Sequence, residues 1–222
     1  MNNLIEISNI SYKYNKGRIV FKDFSLNLNC EESTILVGSN GSGKTTLAKI
    51  IMGILKPQNG TIKILGQDAS NLSLGQTGEM IGYVYQYPER QLFATSVMEE
   101  LIFPLIFKGK KKEEVYEQAE EMIKIFNLEK VKNLYPFFLS YGEKRRLAIA
   151  SVLMNKPKYL ILDEPTASLD QERIEALSNV LDELKNRKIG ILAISHNKDF
   201  IKRHGQRVIN LEGGCILHDN KF

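Results

Sequence analysis

Residues Gly38-Ser39-Asn40-Gly41-Ser42-Gly43-Lys44-Thr45 fit the spacing G-x-x-x-x-G-K-[ST] without a substitution, and Thr46 follows. The apolar run Thr34-Ile35-Leu36-Val37 predicts a strand entering this stretch, and Leu47-Ala48-Lys49-Ile50-Ile51-Met52 predicts a helix leaving it. Strand, glycine turn and helix together are the context a phosphate-cradling loop needs. Three glycines let successive backbone N–H groups turn toward one point. The helix beyond presents its positive end, roughly half a unit charge, to the same point. Lys44 would reach the β- and γ-phosphates of a nucleotide, and the Thr45 hydroxyl would hold Mg²⁺. The competing reading is a glycine-rich turn capping an ordinary α/β helix, and the agreement of both flanks with the pattern argues against it.

A chain of 222 residues is one large domain or a core with an inserted subdomain. The net charge is +4, from 30 basic and 26 acidic residues, too slight to argue for a nucleic-acid partner. Cys30 and Cys215 lie far apart without metal-ligand spacing, so they read as reduced structural thiols. The most apolar stretch, Leu101 to Phe107, is too short to cross a membrane and contains Pro104. The start, Met1-Asn2-Asn3-Leu4-Ile5-Glu6, lacks the basic and apolar blocks of a signal peptide. Any membrane role is therefore expected to come through a partner.

Early in the chain, Leu4-Ile5-Glu6-Ile7, Ile19-Val20-Phe21 and Phe24-Ser25-Leu26-Asn27-Leu28 read as short strands split by turns such as Asn15-Lys16-Gly17, which predicts an antiparallel sheet. Thr61-Ile62-Lys63-Ile64 alternates like a half-buried strand and is expected to join it. Met80 to Tyr85 reads as another strand, ending on Gln86. From Pro88 to about Met154 no strand is expected; Ser96 to Leu101 reads as a helix stopped near Pro104, and Glu113 to Phe126 as a clearer one. Between them Lys108-Gly109-Lys110-Lys111-Lys112 reads as a basic, solvated loop, with attraction to an anionic membrane surface as the lesser alternative. Further on come a strand at Tyr159-Leu162, a helix at Gln171-Lys185, a strand at Ile189-Ile194 and a hairpin around Gly213-Gly214. Alternating strands and helices imply an α/β fold with a parallel sheet covered on both faces. The expected division is a nucleotide-binding core with an antiparallel β part at 1–87 and 155–222, and a helical subdomain at 88–154.

Leu160-Ile161-Leu162-Asp163-Glu164 delivers two adjacent carboxylates from an apolar strand. Asp163 can hold the metal and Glu164 can polarise an attacking water. Repulsion between neighbouring charges would raise the Glu164 pKa, which suits a general base. Ser140-x-x-Glu143 reads as a capping box opening an amphipathic helix, offering a second helix N-terminus to an anion.

Taken with the phosphate loop, Leu139-Ser140-Tyr141-Gly142-Glu143 and Asp163-Glu164-Pro165-Thr166-Ala167-Ser168-Leu169-Asp170 resemble the nucleotide-binding domain of ATP-binding cassette (ABC) proteins over essentially the whole chain. The resemblance implies a P-loop NTPase core, with ATP and Mg²⁺ bound between two cassettes. It implies that Ser140 and Gly142 contact the γ-phosphate held by a second subunit and that Asp170 couples the two sites. Gln86 would sense Mg²⁺ and the attacking water, His196 would act as the switch histidine near the γ-phosphate, and Tyr14 would stack on adenine. Read from the residues alone, Tyr12 competes with Tyr14, and His196 could be a helix cap. Lys44, Gln86, Asp163, Glu164 and His196 are all present, as an active ATPase requires. Two positions depart from the Leu-Ser-Gly-Gly-Gln signature: Tyr141 replaces its first glycine and Glu143 its glutamine.

The run Gln86-Tyr87-Pro88-Glu89-Arg90-Gln91-Leu92-Phe93 is similar to the Q-x-P-x-x-Q-L-F segment of energy-coupling-factor ATPases, which drive vitamin and cobalt or nickel importers. Glu100 stands where that family often has aspartate, Pro104 where glycine is common, and the chain ends soon after its hairpin. The resemblance implies an integral membrane partner docking on the apolar residues after Gln86, at the cytoplasmic face of the membrane. A soluble repair or translation cassette and a non-hydrolysing regulatory subunit are the other classes considered.

Overall fold

The computed structural model describes residues 3–15, 17–167 and 169–222; the expectations touching Met1, Asn2, Lys16 and Ser168 lie outside the described residues. The chain opens with two long antiparallel strands, β1 (Asn3–Lys13) and β2 (Ile19–Asn29), where three short pieces were expected. The polar interruptions are absorbed as bulges. Asn9 and Asp23 take φ of 51° and 50°, their N–H groups donating to Ser25 Oγ (2.9 Å) and Ser11 Oγ (3.1 Å), and pairing resumes beyond them. Strand β3 (Ser33–Val37), the glycine loop and helix α1 (Lys44–Ile51) follow as expected. Next come β4 (Asn59–Ile64), the two-residue β5 (Gln67–Asp68), α2 (Leu74–Met80) and β6 (Ile81–Val84). As expected, β4 joins the early sheet, whose order is β2-β1-β4-β5.

Three helices occupy the next stretch: α3 (Val97–Phe107), α4 (Lys112–Ile125) and α5 (Tyr141–Leu153). Helix α3 does not stop near Pro104 but runs through it. Leu101, Ile102 and Leu105 are buried on both sides of the proline, and that packing outweighs its missing hydrogen bond. The chain closes with β7 (Tyr159–Asp163), α6 (Gln171–Asn186), β8 (Gly190–Ile194), α7 (Lys198–His204) and the hairpin β9 (Arg207–Glu212) and β10 (Cys215–Lys221). Gly213 and Gly214, at φ 54° and 79°, supply the two-residue turn that a tight hairpin favours. Helices α2 and α7 were not foreseen, although each has a local cap: Ser73 with Gln76 in a capping box, and Asn197 accepting from Phe200 N–H.

The second sheet has the order β10-β9-β3-β8-β7-β6, parallel from β9 to β6 with β10 antiparallel at its edge. Side chains alternate across it and create two cores. Ile35, Leu160, Leu162, Ile191 and Ala193 pack with the helices α3 to α6, whereas Leu36, Tyr159, Ile161, Leu192 and Ile194 pack with α1 and the antiparallel sheet. Burial on both faces explains why these strands read as unbroken apolar runs, each buried Leu or Ile contributing about 1.5–3 kcal/mol. The parallel register also brings the ends of β3, β6, β7 and β8 to one edge of the sheet, where ligands of open α/β folds bind.

Candidate nucleotide site

At that edge the loop after β3 turns on three glycines of positive φ: Gly38 (143°), Gly41 (82°) and Gly43 (111°). A side chain at Gly38 would overlap the Leu211 carbonyl oxygen, and one at Gly43 would approach Phe21 Cζ to 2.8 Å. Glycine is therefore demanded at both positions by conformation and by space. The Lys44 ammonium folds back onto its own loop, donating to the carbonyls of Gly38 (2.6 Å) and Ser39 (2.9 Å). Burial lowers the Lys44 pKa, and the carboxylates of Glu164 and Asp163 pull it back upward.

A cavity of about 290 Å³ opens beside this loop. It is lined by Tyr14 and Arg18 from the antiparallel strands' turn, by Asn40, Gly41, Gly43, Lys44, Thr45 and Thr46 of the loop and α1, and by Gln86, Asp163 and Glu164 from the ends of β6 and β7. The Tyr14 hydroxyl and Thr46 Oγ1 share a hydrogen bond of 3.0 Å, while Tyr12 is buried and meets the Tyr14 ring edge-on at 5.1 Å. Arg18, not singled out by any motif, donates to the Gly41 carbonyl at 3.1 Å.

Asp163 is buried at the last position of β7, where its carboxylate accepts from Thr45 Oγ1 (3.3 Å) and Tyr83 OH (3.4 Å). Burial raises its pKa, opposed by these two hydrogen bonds. Next to it, Glu164 takes φ of 50°, a conformation that costs a non-glycine residue about 1–2 kcal/mol. Its N–H donates to the Ile194 carbonyl at 3.0 Å, which holds the turn in place. The Glu164 pKa is raised, as expected, but chiefly by burial; His196 lowers it and the neighbouring Asp163 charge adds a smaller rise. His196, just past β8, places Nε2 3.3 Å from Glu164 Oε1. A hydroxyl, a carboxylate and an amide (Thr45, Asp163 and Gln86) form a hard oxygen set that suits Mg²⁺ carried on nucleotide phosphates.

Ser140, Gly142 and Asp170 do not line this cavity. Gly142 and Asp170 meet at Arg173, with Ser140 two residues before Gly142: Gly142 packs against the Arg173 side chain, and Asp170 accepts its N–H at 2.9 Å and pairs with its guanidinium at 3.1 Å. Ser140 Oγ accepts from Glu143 N–H and the Ser140 N–H donates to Glu143 Oε2 at 2.8 Å, closing the capping box that opens α5, and Ser140 Oγ also donates to Glu143 Oε2 at 2.6 Å. The bond from the Ser140 hydroxyl, then that from the Ser140 N–H, ahead of the nearby arginines Arg146 and Arg173, holds the Glu143 carboxyl below the usual carboxylate range against the effect of burial.

The most consequential side chain that motif reading passed over is Arg145. It is 1% exposed, and its guanidinium reaches the carbonyls of Tyr85, Gln86 and Asp163. In the sequence it is one of three consecutive basic residues on a helix, with no signal for burial. Glu100 is also buried, and one of its oxygens accepts from the N–H groups of both Phe93 and Ala94.

A glycine loop at the head of α1, facing a carboxylate pair at the end of a parallel strand, defines a P-loop nucleotide-binding fold. Residues 21–167 match the family described as ABC transporter. The energy-coupling factor transporter ATP-binding protein EcfA1 of Ligilactobacillus salivarius is 36% identical over 221 residues, covering 99% of this chain and 78% of that relative. Among solved structures, cbiO1 of Clostridium perfringens, described as part of the ABC transporter complex cbiONQ, superposes with TM-score 0.88 at 30% identity, covering 100% of this chain and 89% of that one. A dimeric ATP-binding cassette, MJ0796, bound to ADP and Pi, superposes with TM-score 0.88 at 28% identity over 98% of both chains. The chain belongs to the ABC transporter family, as an ATP-binding, ATPase subunit. Among the described residues no helix is long and apolar enough to cross a membrane.

Proposed function

We propose that this ATPase energises an importer of the energy-coupling-factor type at the cytoplasmic face of the membrane, carrying a micronutrient such as a vitamin or a metal ion. In this reading 88–154 is the helical subdomain and the remaining segments are the nucleotide core. Tyr14 stacks on adenine, a contact of about 1–3 kcal/mol. Lys44 leaves its two carbonyls for the β- and γ-phosphates, and Thr45, Gln86 and Asp163 hold Mg²⁺, which would supply charge neutralisation on the phosphates. Glu164 accepts a proton from the water that attacks the γ-phosphate in line, and His196 orients Glu164. Ser140, Gly142 and Asp170 serve the site of the facing cassette.

The observation that carries the chemistry is Glu164, half-buried, with a raised pKa and 3.3 Å from His196, directly after a buried Asp163. What supports the transport class is likeness to a relative named for an energy-coupling factor, together with the exposed aromatic row Phe93, Phe103 and Phe107 beyond Gln86. Phe93 meets Phe103 edge-on at 5.4 Å and Phe103 stacks on Phe107 at 5.9 Å, which leaves an apolar face suited to a helix of a membrane subunit. The deciding experiment is affinity purification from native membranes, followed by uptake of labelled vitamins, cobalt or nickel in cells lacking the chain. Co-purification of a polytopic membrane protein and loss of one uptake activity are expected. Recovery with nucleic acid, and no membrane subunit, would favour a repair or translation cassette instead.

A further inference from the structure

Arg145 is a buried cation whose hydrogen-bond partners are main-chain carbonyls and a phenol. Nη2 donates to the Gln86 carbonyl at 2.7 Å and to the Tyr141 hydroxyl at 2.8 Å. Nη1 reaches the carbonyls of Asp163 (3.4 Å) and Tyr85 (3.5 Å), and Nε has no partner. The Tyr141 hydroxyl in turn donates to the same Gln86 carbonyl at 3.0 Å, and its ring lies 5.4 Å from the guanidinium carbon. Tyr141 and Arg145 are one turn apart, on one face of α5. Burying a guanidinium is costly, and an apolar side chain would fill the space at lower cost. What the cation gives in return is a fork with fixed donor directions, aimed at the two backbone segments that end β6 and β7.

We infer that Tyr141 and Arg145 are positioning residues that set the Mg²⁺ position by holding the backbone of Gln86 and Asp163. The inference rests on the proposed role of those two side chains as the metal's oxygen donors. The carbonyl of each is bound by Arg145, so the direction of both side chains depends on where α5 lies. Ser140 caps the same helix and Gly142 sits in its first turn. A shift of α5 that carries Ser140 toward a neighbouring cassette therefore moves Gln86 and Asp163 as well. Tyr141 in place of the signature's first glycine is then a functional substitution, because a glycine has no hydroxyl to bridge Arg145 and Gln86.

The test uses the purified chain and a fluorescent ATP analogue, trinitrophenyl-ATP, titrated in EDTA and then with Mg²⁺. Tyr141→Phe keeps the ring and removes the bridging hydroxyl, and Arg145→Lys keeps the charge and removes the fork. Both are expected to bind the analogue normally in EDTA, yet to need about three- to tenfold more Mg²⁺ for half-maximal effect, the consequence of losing one hydrogen bond. In parallel, kcat for ATP should fall with KM unchanged. Asp163→Asn is the control for the underlying site. If it shifts the Mg²⁺ midpoint while Tyr141→Phe does not, the positioning role is wrong and the metal site stands. If Asp163→Asn also leaves the midpoint unmoved, the metal assignment fails and the inference falls with it. A lowered melting temperature with an unmoved midpoint would reduce the pair to structural filler. Should Arg145→Lys fail to fold, Tyr141→Phe alone decides.

Discussion

The backbone of Glu164 is held in the left-handed region by the strand behind it and by the N–H bond to Ile194, so its carboxylate has little freedom to swing. Burial keeps the carboxyl partly protonated at a pH where an exposed glutamate would be fully ionised, and His196 opposes that effect. Glu164→Gln keeps the shape, removes the negative charge and cannot accept a proton. Hydrolysis should fall about 10²–10⁴-fold with nucleotide affinity retained, measured by phosphate release beside equilibrium binding. A variant with half the wild-type rate would remove Glu164 as the base. The pH dependence follows from the same shift. The ionised base is lost as pH falls through the raised pKa, so wild-type kcat should decline at a higher pH than an ordinary carboxylate would allow. The Glu164→Gln profile should lack that step.

At the scale of elements, α3 shows how a single buried acid can organise an exposed apolar surface. Glu100 Oε2 accepts from both Phe93 N–H (2.9 Å) and Ala94 N–H (2.8 Å), fixing the segment before α3 so that Phe93 meets Phe103. Glu100→Gln retains one oxygen that can accept both bonds and removes a buried charge, so stability at neutral pH should stay the same or rise. Glu100→Ala leaves two N–H groups unpaired and should cost about 1–3 kcal/mol in urea denaturation. Burial raises the folded pKa of Glu100, so the folded state takes up its proton before the unfolded state does. Wild type should therefore gain stability relative to Glu100→Gln as pH falls from the raised value toward the ordinary carboxylate range. A constant difference across that window would show that Glu100 does not titrate there. Pro104 offers a second test: Pro104→Ala restores a helical N–H and should stabilise the fold by up to about 3 kcal/mol, read from the same denaturation curves. The central strands were legible as unbroken apolar runs, α4 and α6 by their apolar period, α5 by its capping box, and the glycine loop leading into α1 because its conformation demands glycine. Helices α2 and α7 span seven residues each, too few for a period to emerge, and Gly75 and Gly78 weaken α2 further. Proline in α3 misled because tertiary packing overrode a local rule. At the site, motifs marked the residues around the cavity except Arg18, whereas Arg145 gathers carbonyl partners 18 to 60 positions away and carries no local signature.

The whole molecule presents two separated halves of chemistry on one chain. Tyr14, Lys44, Asp163 and Glu164 meet in one cavity, and outside it Gly142 and Asp170 meet at Arg173, with Ser140 at the start of the helix that carries Gly142. A chain whose Ser140, Gly142 and Asp170 stand outside its own cavity can complete its sites by two-fold pairing, each copy lending its α5 end to the other's nucleotide. This arrangement makes a complementation test possible. Lys44→Ala should disable a copy's own phosphate loop, and Ser140→Arg should disable what it lends to its neighbour; each pure variant should be inactive. Mixed after dissociation, half of the dimers would contain one of each. Such a dimer has one intact site, built from the Lys44 of one copy and the Ser140 of the other, while its second site carries both defects. ATPase activity in an equimolar mixture should therefore recover to about a quarter of wild type if the two sites act independently. Sedimentation velocity with ATP on the Glu164→Gln background should show the dimer directly, and Ser140→Arg on that background should remain a monomer. Recovery would establish pairing of identical copies across these surfaces, because no other assembly rule restores activity from two different defects; an inactive mixture together with a Glu164→Gln chain that stays monomeric in ATP would rule that pairing out.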